Sequence, residues 1–224
     1  INEIINNGFG VDYLQNWNLI SLPLQINEFP CVSSDESTLY HFENGGYVNT
    51  EMSEMALGKG YWLRFEDDEI CTFFGLPVNE ISITLTEDWN LIGSISSSID
   101  VNTIIDNDNL IIPGTVYSFT PNGYLNAAIL EPGKGYWIRS LEDGFITISS
   151  QNRSGYVRLP PVYPDANTLR VNGMEFYFGE NISETDPTLY SLPPKPPTGA
   201  MDVRFSGDTK LCASDECLIE VTGN

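Results

Sequence analysis

The chain has 224 residues and a formal net charge of −21, from 31 acidic and 10 basic side chains. An electrostatic field of that sign repels nucleic acid and anionic membrane surfaces, because proteins bind both through clustered Lys and Arg. Hydrophobic residues make up 41% of the chain, and no apolar run reaches the roughly 18 residues of a membrane span. We therefore expect a folded protein with a solvated acidic surface, no nucleic-acid partner and no membrane insertion.

Three motifs of residues 1–76 recur, in the same order, in residues 77–150. The offsets between the copies are 72, 77 and 75 residues. The paired segments are 17–23 with 89–95, 38–48 with 115–125, and 58–62 with 133–137, the last pair both reading GKGYW. A fixed order at a near-constant spacing predicts two tandem units of about 75 residues, 1–76 and 77–150.

Each unit is predicted to consist of short strands joined by tight turns. The runs WNLIS and GYWLR are rich in aromatic and branched side chains and are bounded by Gly, Pro, Asn and Asp. Asn44-Gly45 and Asn122-Gly123 predict β-hairpins, because both residue types tolerate the positive φ of a tight turn. We expect a further strand pair across 81–95, turning at 86–88, and helical turns only at 100–106 and 126–130.

Strand alternation separates the repeated aromatic side chains onto two faces. In GYWLR, Tyr61 points to one side and Trp62 to the other. Both sides carry apolar bulk, which predicts central strands in which Trp62 and its counterpart Trp137 anchor the core. Lys59 and Lys134 precede these strands, and we expect each to pack its stem and keep its amine in water.

Residues 151–224 lack the repeat and are expected to form a third, small β domain. Asn172-Gly173 lies between two alternating runs and predicts another hairpin. The stretch 192–197, LPPKPP, favours a stiff polyproline conformation. We expect a rigid spacer pinned across the domain's own sheet, and docking into an aromatic groove of a partner is the alternative. The predicted fold class is thus all-β, with two sandwich-like or barrel-like units and the third domain.

The four cysteines predict two disulfides. Cys212 and Cys217 can close a small loop, and Cys31 and Cys71 both lie in the first unit. The second unit has Ile146 at the position of Cys71 and no counterpart of Cys31, as expected if these two cysteines pair. Other pairings and a zinc site are the alternatives, but zinc lacks C-x-x-C spacing here. Disulfides fit an oxidising, extracellular location.

Two acidic loops offer oxygen ligands of the kind that calcium prefers, although neither has the spacing of an EF-hand. The candidate calcium ligands are Asp67, Asp68, Asp106 and Asp108. Plain solvated loops are the competing interpretation. Asn152 and Asn181 begin N-glycosylation sequons outside the repeated units.

The sequence carries no recognisable catalytic motif. His41 is the single histidine, and the sequence lacks the motifs of serine hydrolases, P-loop enzymes, dinucleotide-binding proteins and zinc proteases. We therefore expect no enzyme activity and no cofactor. A carboxylate pair for glycoside hydrolysis is the alternative, because the chain has many acids and the fold decides which of them meet.

The series WNLIS, YxF, GY and GKGYW resembles a repeat of large secreted and surface proteins of bacteria and archaea. The stretch 192–205, LPPKPPTGAMDVRF, resembles a region that precedes C-terminal sorting domains of the type IX secretion system. Together the two cover nearly the whole chain. The resemblance implies an extracellular or cell-surface location and brings no catalytic residues. Because no sorting domain follows and the chain starts at Ile1, we expect a processed or partial product.

These observations predict a non-catalytic structural or adhesive module of a cell-surface protein or extracellular assembly. Its partners would be other copies of the chain or other surface proteins, reached through exposed strand edges. The alternative is a carbohydrate-binding module of a secreted enzyme, with glycans as partners. This alternative requires exposed stacking faces at one of two tyrosine pairs, Tyr61 with Tyr136 or Tyr47 with Tyr124.

Overall fold

The structure is a computed structural model, and it describes residues 8–26, 28–151, 166–179, 186–214 and 216–223. Strands dominate these residues, and the other regular elements within them are short 3₁₀ turns. The predicted all-β class is therefore confirmed. Within the same ranges, no helix is long and apolar enough to cross a membrane.

The first repeat is organised around one four-stranded sheet. Its described strands are β1 (Phe9–Tyr13), β2 (Asn16–Ser21), β3 (Leu24–Gln25), β4 (Ser34–Glu43), β5 (Gly46–Asn49), β6 (Gly60–Phe65), β7 (Glu69–Phe73) and β8 (Leu76–Pro77), with a 3₁₀ turn at Met52–Glu54. The main sheet has the order β2-β6-β4-β5, in which β4 and β5 form the hairpin predicted at Asn44-Gly45. Two smaller antiparallel ladders join β1 to β7 and β3 to β8.

The second repeat has a main sheet of the same strand order. Its described strands are β9 (Glu80–Leu85), β10 (Asp88–Gly93), β11 (Ile99–Asp100), β12 (Tyr117–Thr120), β13 (Gly123–Asn126), β14 (Ile129–Leu130), β15 (Gly135–Ser140) and β16 (Gly144–Ser149), with a 3₁₀ turn at Val101–Thr103. The order β10-β15-β12-β13 matches that of the corresponding strands in the first repeat. The hairpin of β12 and β13 predicted at Asn122-Gly123 is confirmed.

Two local predictions in the second repeat are wrong. The strands that flank residues 86–88 do not pair with each other, because β9 pairs with β16 and β10 with β15. The Asn90 side chain bonds both the N–H and the carbonyl of Thr86, at 2.9 and 2.8 Å, and the chain passes from one sheet to the other. The helical turn predicted at 100–106 is present at Val101–Thr103, but 126–130 ends in β14, which pairs with β11 and buries Leu130.

The third segment adds two small sheets and a second disulfide. Its described strands are β17 (Asn167–Val171), β18 (Met174–Phe178), β19 (Asp202–Phe205), β20 (Leu211–Cys212) and β21 (Ile219–Thr222), with a 3₁₀ turn at Pro187–Tyr190. The hairpin of β17 and β18, predicted at Asn172-Gly173, is confirmed. β20 runs parallel to β18, and β19 pairs with β21. Both predicted disulfides, Cys31–Cys71 and Cys212–Cys217, are also confirmed.

Three large hydrophobic clusters form the core. One lies within the first repeat and includes Tyr61, and another lies within the second repeat and includes Tyr136. The third cluster, the shared core, takes residues from both repeats and from the third segment. Its buried members are Trp17, Leu19, Trp62, Leu91, Tyr117, Tyr124, Trp137, Met174, Phe176, Leu192, Ala200, Val203, Phe205 and Cys212. The predicted alternation is thus confirmed, since Trp62 faces the shared core and Tyr61 the core of its own repeat.

The two repeats contact each other through equivalent backbone segments. Ile20 of β2 forms a bridge with Lys134, and the corresponding Ile92 of β10 forms one with Lys59. Two backbone hydrogen bonds between the repeats are equivalent in the same way. Ser21 N–H donates to the Gly133 carbonyl at 2.8 Å, and Gly93 N–H donates to the Gly58 carbonyl at 2.9 Å. Each contact occurs twice with the roles of the repeats exchanged, which is the property of a twofold interface. The start of each GKGYW motif therefore binds the other repeat, while its Trp enters the shared core.

The two lysines of the GKGYW motifs have different environments. Lys59 is exposed, as predicted. The amine of Lys134 instead donates to the Asp12 carbonyl and lies 4.5 Å from the centre of the Tyr13 ring. Burial lowers the pKa of Lys134. The prediction of an amine in water is therefore wrong for Lys134, because the first repeat covers it.

Candidate functional site

The centre of the shared core is a reciprocal exchange of aromatic rings between the repeats. Trp62 of the first repeat meets Phe119 of the second edge-on, with centroids 4.6 Å apart. The equivalent pair, Trp137 and Phe42, has centroids 4.8 Å apart. Edge-on contacts of this kind add about 0.5–1.5 kcal/mol beyond the buried area. The indole N–H groups of Trp62 and Trp137 are buried and find no hydrogen-bond acceptor among the described residues, so ring packing is what holds these side chains.

The Pro-rich segment, taken here as residues 191–198, lies across this aromatic centre and is bound to it by four hydrogen bonds. Each donor is an aromatic side chain of a repeat, and each acceptor is a backbone carbonyl of the segment. The pairs are Tyr117 with Ser191 at 3.0 Å, Tyr124 with Pro194 at 2.8 Å, Tyr47 with Lys195 at 2.9 Å, and Trp17 with Thr198 at 3.2 Å. Proline has no N–H, so the carbonyls are the backbone groups that such a segment can offer.

These contacts extend the predicted location of the segment. We predicted that it is pinned across the sheet of its own domain, and there Leu192 N–H donates to the Asp208 carbonyl at 2.8 Å and Arg204 to the Pro193 carbonyl at 3.1 Å. It is also bound to side chains of β2, β5, β12 and β13, which belong to the two repeats. The sequence could not indicate this, because the donors lie 70 to 181 residues away from their acceptors.

A buried arginine fixes one end of the segment. Arg204 of β19 binds both carboxylate oxygens of Asp202, at 2.6 and 2.9 Å. The same guanidinium donates to the Pro193 carbonyl at 3.1 Å and to Asp208 at 2.8 Å. Its side chain is 1% exposed and that of Asp202 is 3% exposed. This ion pair was not predicted from the sequence, although Asp-x-Arg in a strand places both charges on one face.

The tyrosines expected to stack on glycans are mostly buried. Tyr61 and Tyr136 are each 2% exposed, and Tyr124 is 3% exposed. The hydroxyls of Tyr61 and Tyr136 accept from the N–H groups of Ala56 and Glu131, so they close turns within their own repeats. The prediction of exposed stacking faces is therefore wrong for these three tyrosines. Tyr47 is half-buried, and its hydroxyl is engaged by the Pro-rich segment.

A cleft of about 870 Å³ opens between the two repeats and the start of the Pro-rich segment. Its aromatic wall is Trp89, the counterpart of Trp17. The third segment covers Trp17, which is 9% exposed, whereas Trp89 is only half-buried. The repeat relationship identifies this pair from sequence alone. The difference in exposure arises because the chain has two repeats but one third segment, which covers Trp17 and leaves Trp89 less covered.

Arg139 contacts the aromatic ring and two polar side chains of the Trp89 cleft. Its guanidinium lies 5.9 Å from the centre of the Trp89 ring and donates to Asp88 at 2.7 Å and to the Ser191 hydroxyl at 2.5 Å. The other charged or titratable side chains that line the cleft are His41, Glu43, Lys59, Glu87 and Asp208. A half-buried aromatic ring beside several acceptors and an oriented arginine can hold a small polar ligand.

The candidate calcium ligands do not form one site. Asp106 is buried, and its two oxygens accept from the N–H groups of Leu110 and Ile111 at 2.8 and 3.0 Å. Asp108, Asp67 and Asp68 are exposed. In the described part of the chain, the one group of three close metal-binding side chains is Cys31, Glu69 and Cys71. Two members of that group are the disulfide, so their sulfurs are not thiolate ligands.

The other residues singled out from the sequence are the two sequon asparagines and the single histidine. Asn152 and Asn181 lie outside the described residues. His41 lies on β4, with Nε2 at 3.3 Å from a carboxylate oxygen of Glu43. Glu69 accepts hydrogen bonds from the N–H groups of Val32 and Ser33, at 2.9 and 2.8 Å, and thereby orders the loop beside the first disulfide.

Comparison with protein families, with curated proteins and with solved structures gave no match for this chain.

Proposed function

We propose that this chain is a non-catalytic structural or adhesive module of a cell-surface protein or an extracellular assembly. The observation that carries the proposal is the binding of the Pro-rich segment to aromatic donors of both repeats. Because the segment contacts both repeats, it joins the two repeats and the third segment into one packed body. They are not separate domains connected only by linkers. A stiff body of this kind suits spacing or presentation at a surface better than turnover of a substrate.

The disulfides and the surface charge support an extracellular location. Both cysteine pairs are oxidised, which is consistent with an oxidising compartment. The net charge of −21 favours solubility, which such a location also requires. Type IX secretion, implied by the resemblance of residues 192–205, is part of this proposal, as is contact with other copies of the chain or with other surface proteins.

The proposal is tested on the source cells. An antibody raised against the purified chain should label intact cells or recover the chain from the medium. Protease added to intact cells should remove the cell-bound signal while a cytoplasmic marker protein survives. A chain that is found only after lysis, with its cysteines reduced, would contradict the proposal.

A second candidate function is saccharide binding at the Trp89 cleft. The specific observation is the unequal cover of the two equivalent tryptophans, because Trp89 stays half-exposed while the third segment covers Trp17. Sugars bind where an aromatic ring provides an apolar surface and nearby carboxylates and amides accept from hydroxyl groups. Glu43 and Asn44 supply such groups in this cleft.

Saccharide binding is tested by calorimetry with soluble neutral glycans. Trp89→Ala should abolish the heat of binding without loss of the folded state. Phe145→Ala is the matched control, since Phe145 is an aromatic side chain that is 56% exposed and lies outside the cleft. Equal binding by the two variants, or no binding by the unaltered chain across a glycan panel, would rule this function out and leave the structural proposal standing.

A further inference from the structure

Lys210 is a buried lysine whose side-chain amine contacts the side-chain amide of Asn126. It precedes β20, and its side chain belongs to a residue that is 2% exposed. The Nζ atom lies 2.5 Å from Oδ1 of Asn126 and 5.1 Å from the centre of the Tyr117 ring. Lysines are almost never fully buried unless they are paired with a charge. Here the hydrogen-bond acceptor found for Nζ, within the described part of the chain, is the neutral amide of Asn126.

The environment favours the neutral, nucleophilic form of the amine. Burial lowers the pKa of Lys210 to about 8, and the negative charge of Glu175 acts in the opposite direction. Near that pH the amine with a free lone pair is as common as the ammonium. A desolvated lysine of this kind is the form that attacks carbonyl carbons in proteins.

The amide of Asn126 is held in one orientation. Its Nδ2 donates to the Gly114 carbonyl at 2.7 Å, which turns Oδ1 towards Lys210. Asn126 ends β13 and is paired with Tyr117 of β12. The acceptor group is therefore fixed at the end of a strand.

The backbone of Lys210 is equally fixed. Its carbonyl accepts from Tyr177 N–H at 2.8 Å, and its N–H donates to the Tyr190 carbonyl at 2.9 Å. Fixed contact of this kind replaces a bimolecular encounter with an intramolecular one, and this lowers the barrier to reaction.

We propose that Lys210 and Asn126 become joined by an intramolecular amide cross-link. The neutral Nζ attacks Cγ of Asn126, and the new Nζ–Cγ bond forms. The Cγ–Nδ2 bond then breaks, and the departing nitrogen leaves as ammonia with a proton that Nζ has given up. No oxidant or reductant takes part.

The cross-link would tie the third segment to the second repeat. It connects the end of β13 to the start of β20, and the Cys212–Cys217 disulfide continues from β20 towards β21. A covalent loop restricts the unfolded chain as a disulfide does, but reductants do not open an amide. This inference is independent of the proposed function, because it rests on the chemistry of one buried pair.

The test is the intact mass of the purified, folded chain after reduction and alkylation of its cysteines. We expect a mass lower by one ammonia than that of the sequence with its four cysteines alkylated. A digest should yield a branched peptide that contains both Asn126 and Lys210. Lys210→Arg keeps the positive charge and removes the nucleophile, so this variant should show no loss of ammonia.

The control also separates the cross-link from succinimide formation at Asn-Gly pairs, such as Asn122-Gly123, which releases ammonia too. Loss of ammonia that persists in Lys210→Arg would overturn the proposal. So would a full sequence mass in the unaltered chain while its near-ultraviolet circular dichroism shows native packing. If Lys210→Arg does not fold, Asn126→Ala serves as the second variant, and the presence or absence of the branched peptide in the unaltered chain decides the matter.

Discussion

Single glycines decide how closely the two repeats can approach. A Cβ at Gly60 would lie 2.5 Å from the Ile92 carbonyl oxygen, and one at Gly135 would lie 2.9 Å from the Ile20 carbonyl oxygen. Both values are far below a normal contact. The second Gly of each GKGYW motif is thus required by the backbone of the other repeat, which explains why the motif is kept twice.

We expect Gly60→Ala to destabilise the fold by about 1–3 kcal/mol, because the added methyl group must push the repeats apart. Gly46→Ala is the matched control, since a Cβ at Gly46 meets nothing within 4 Å. It should change the free energy of unfolding by less than about 1 kcal/mol. Urea denaturation of both variants measures the difference, and equal values would show that the glycine is not needed for close approach.

The Arg204–Asp202 ion pair gives a second prediction. Asp202→Asn removes the buried one of the two carboxylates that bind Arg204 and leaves only the exposed Asp208, so we expect a loss of about 3 kcal/mol. The control is Glu220→Gln, which breaks the exposed pair with Lys195 and should cost less than about 1 kcal/mol. Similar losses in the two variants, measured by chemical denaturation, would contradict the assigned importance of the buried pair.

Among the elements, the Pro-rich segment has the most far-reaching contacts. Its β-type pairing is limited to its first two residues, Ser191 and Leu192, and phenols of both repeats donate hydrogen bonds to its carbonyls. Burial raises the pKa of Tyr47, Tyr117 and Tyr124 above the ordinary value for tyrosine. The folded state therefore keeps these phenols protonated, and a phenol must be protonated to donate a hydrogen bond.

This raised pKa predicts a loss of stability in alkali. Phenols of the unfolded chain ionise near pH 10, whereas the three buried phenols of the folded chain resist ionisation. Their contribution to stability is complete below pH 10 and falls as the pH rises above it, because the unfolded state alone gains from losing protons. Denaturation midpoints measured across this range should decline, and tyrosinate absorbance should appear together with unfolding.

Tyr124→Phe is the control for the alkaline loss, since it removes one buried phenol and should flatten the pH dependence. Tyrosines that all ionise near pH 10 while native circular dichroism persists would contradict the prediction. The same variant loses the hydrogen bond to the Pro194 carbonyl, which should cost about 1 kcal/mol at neutral pH.

At the scale of the whole molecule, the sequence predicts what is local or repeated. The hairpins at Asn44-Gly45 and Asn172-Gly173 follow from turn chemistry, and the pairing of Cys31 with Cys71 follows from their joint absence in the second repeat. The pairing partners of β9 and β10 were missed, because long-range register has no local signal. The half-exposed Trp89 was missed for a similar reason, since its exposure depends on where the third segment lies.

The shared core also predicts how the molecule unfolds. Both repeats contribute tryptophans to it, so neither can lose its structure without exposing the apolar side chains of the other.

The first disulfide lies wholly in the first repeat, with its cysteines 40 residues apart. Loop-closure entropy predicts that Cys31→Ser/Cys71→Ser lowers the free energy of unfolding by about 4 kcal/mol. In native-state hydrogen exchange we expect the amides of β7 and β16 to lose protection by the same amount, although the mutation touches only β7. Loss of protection in β7 alone would show that the repeats unfold independently.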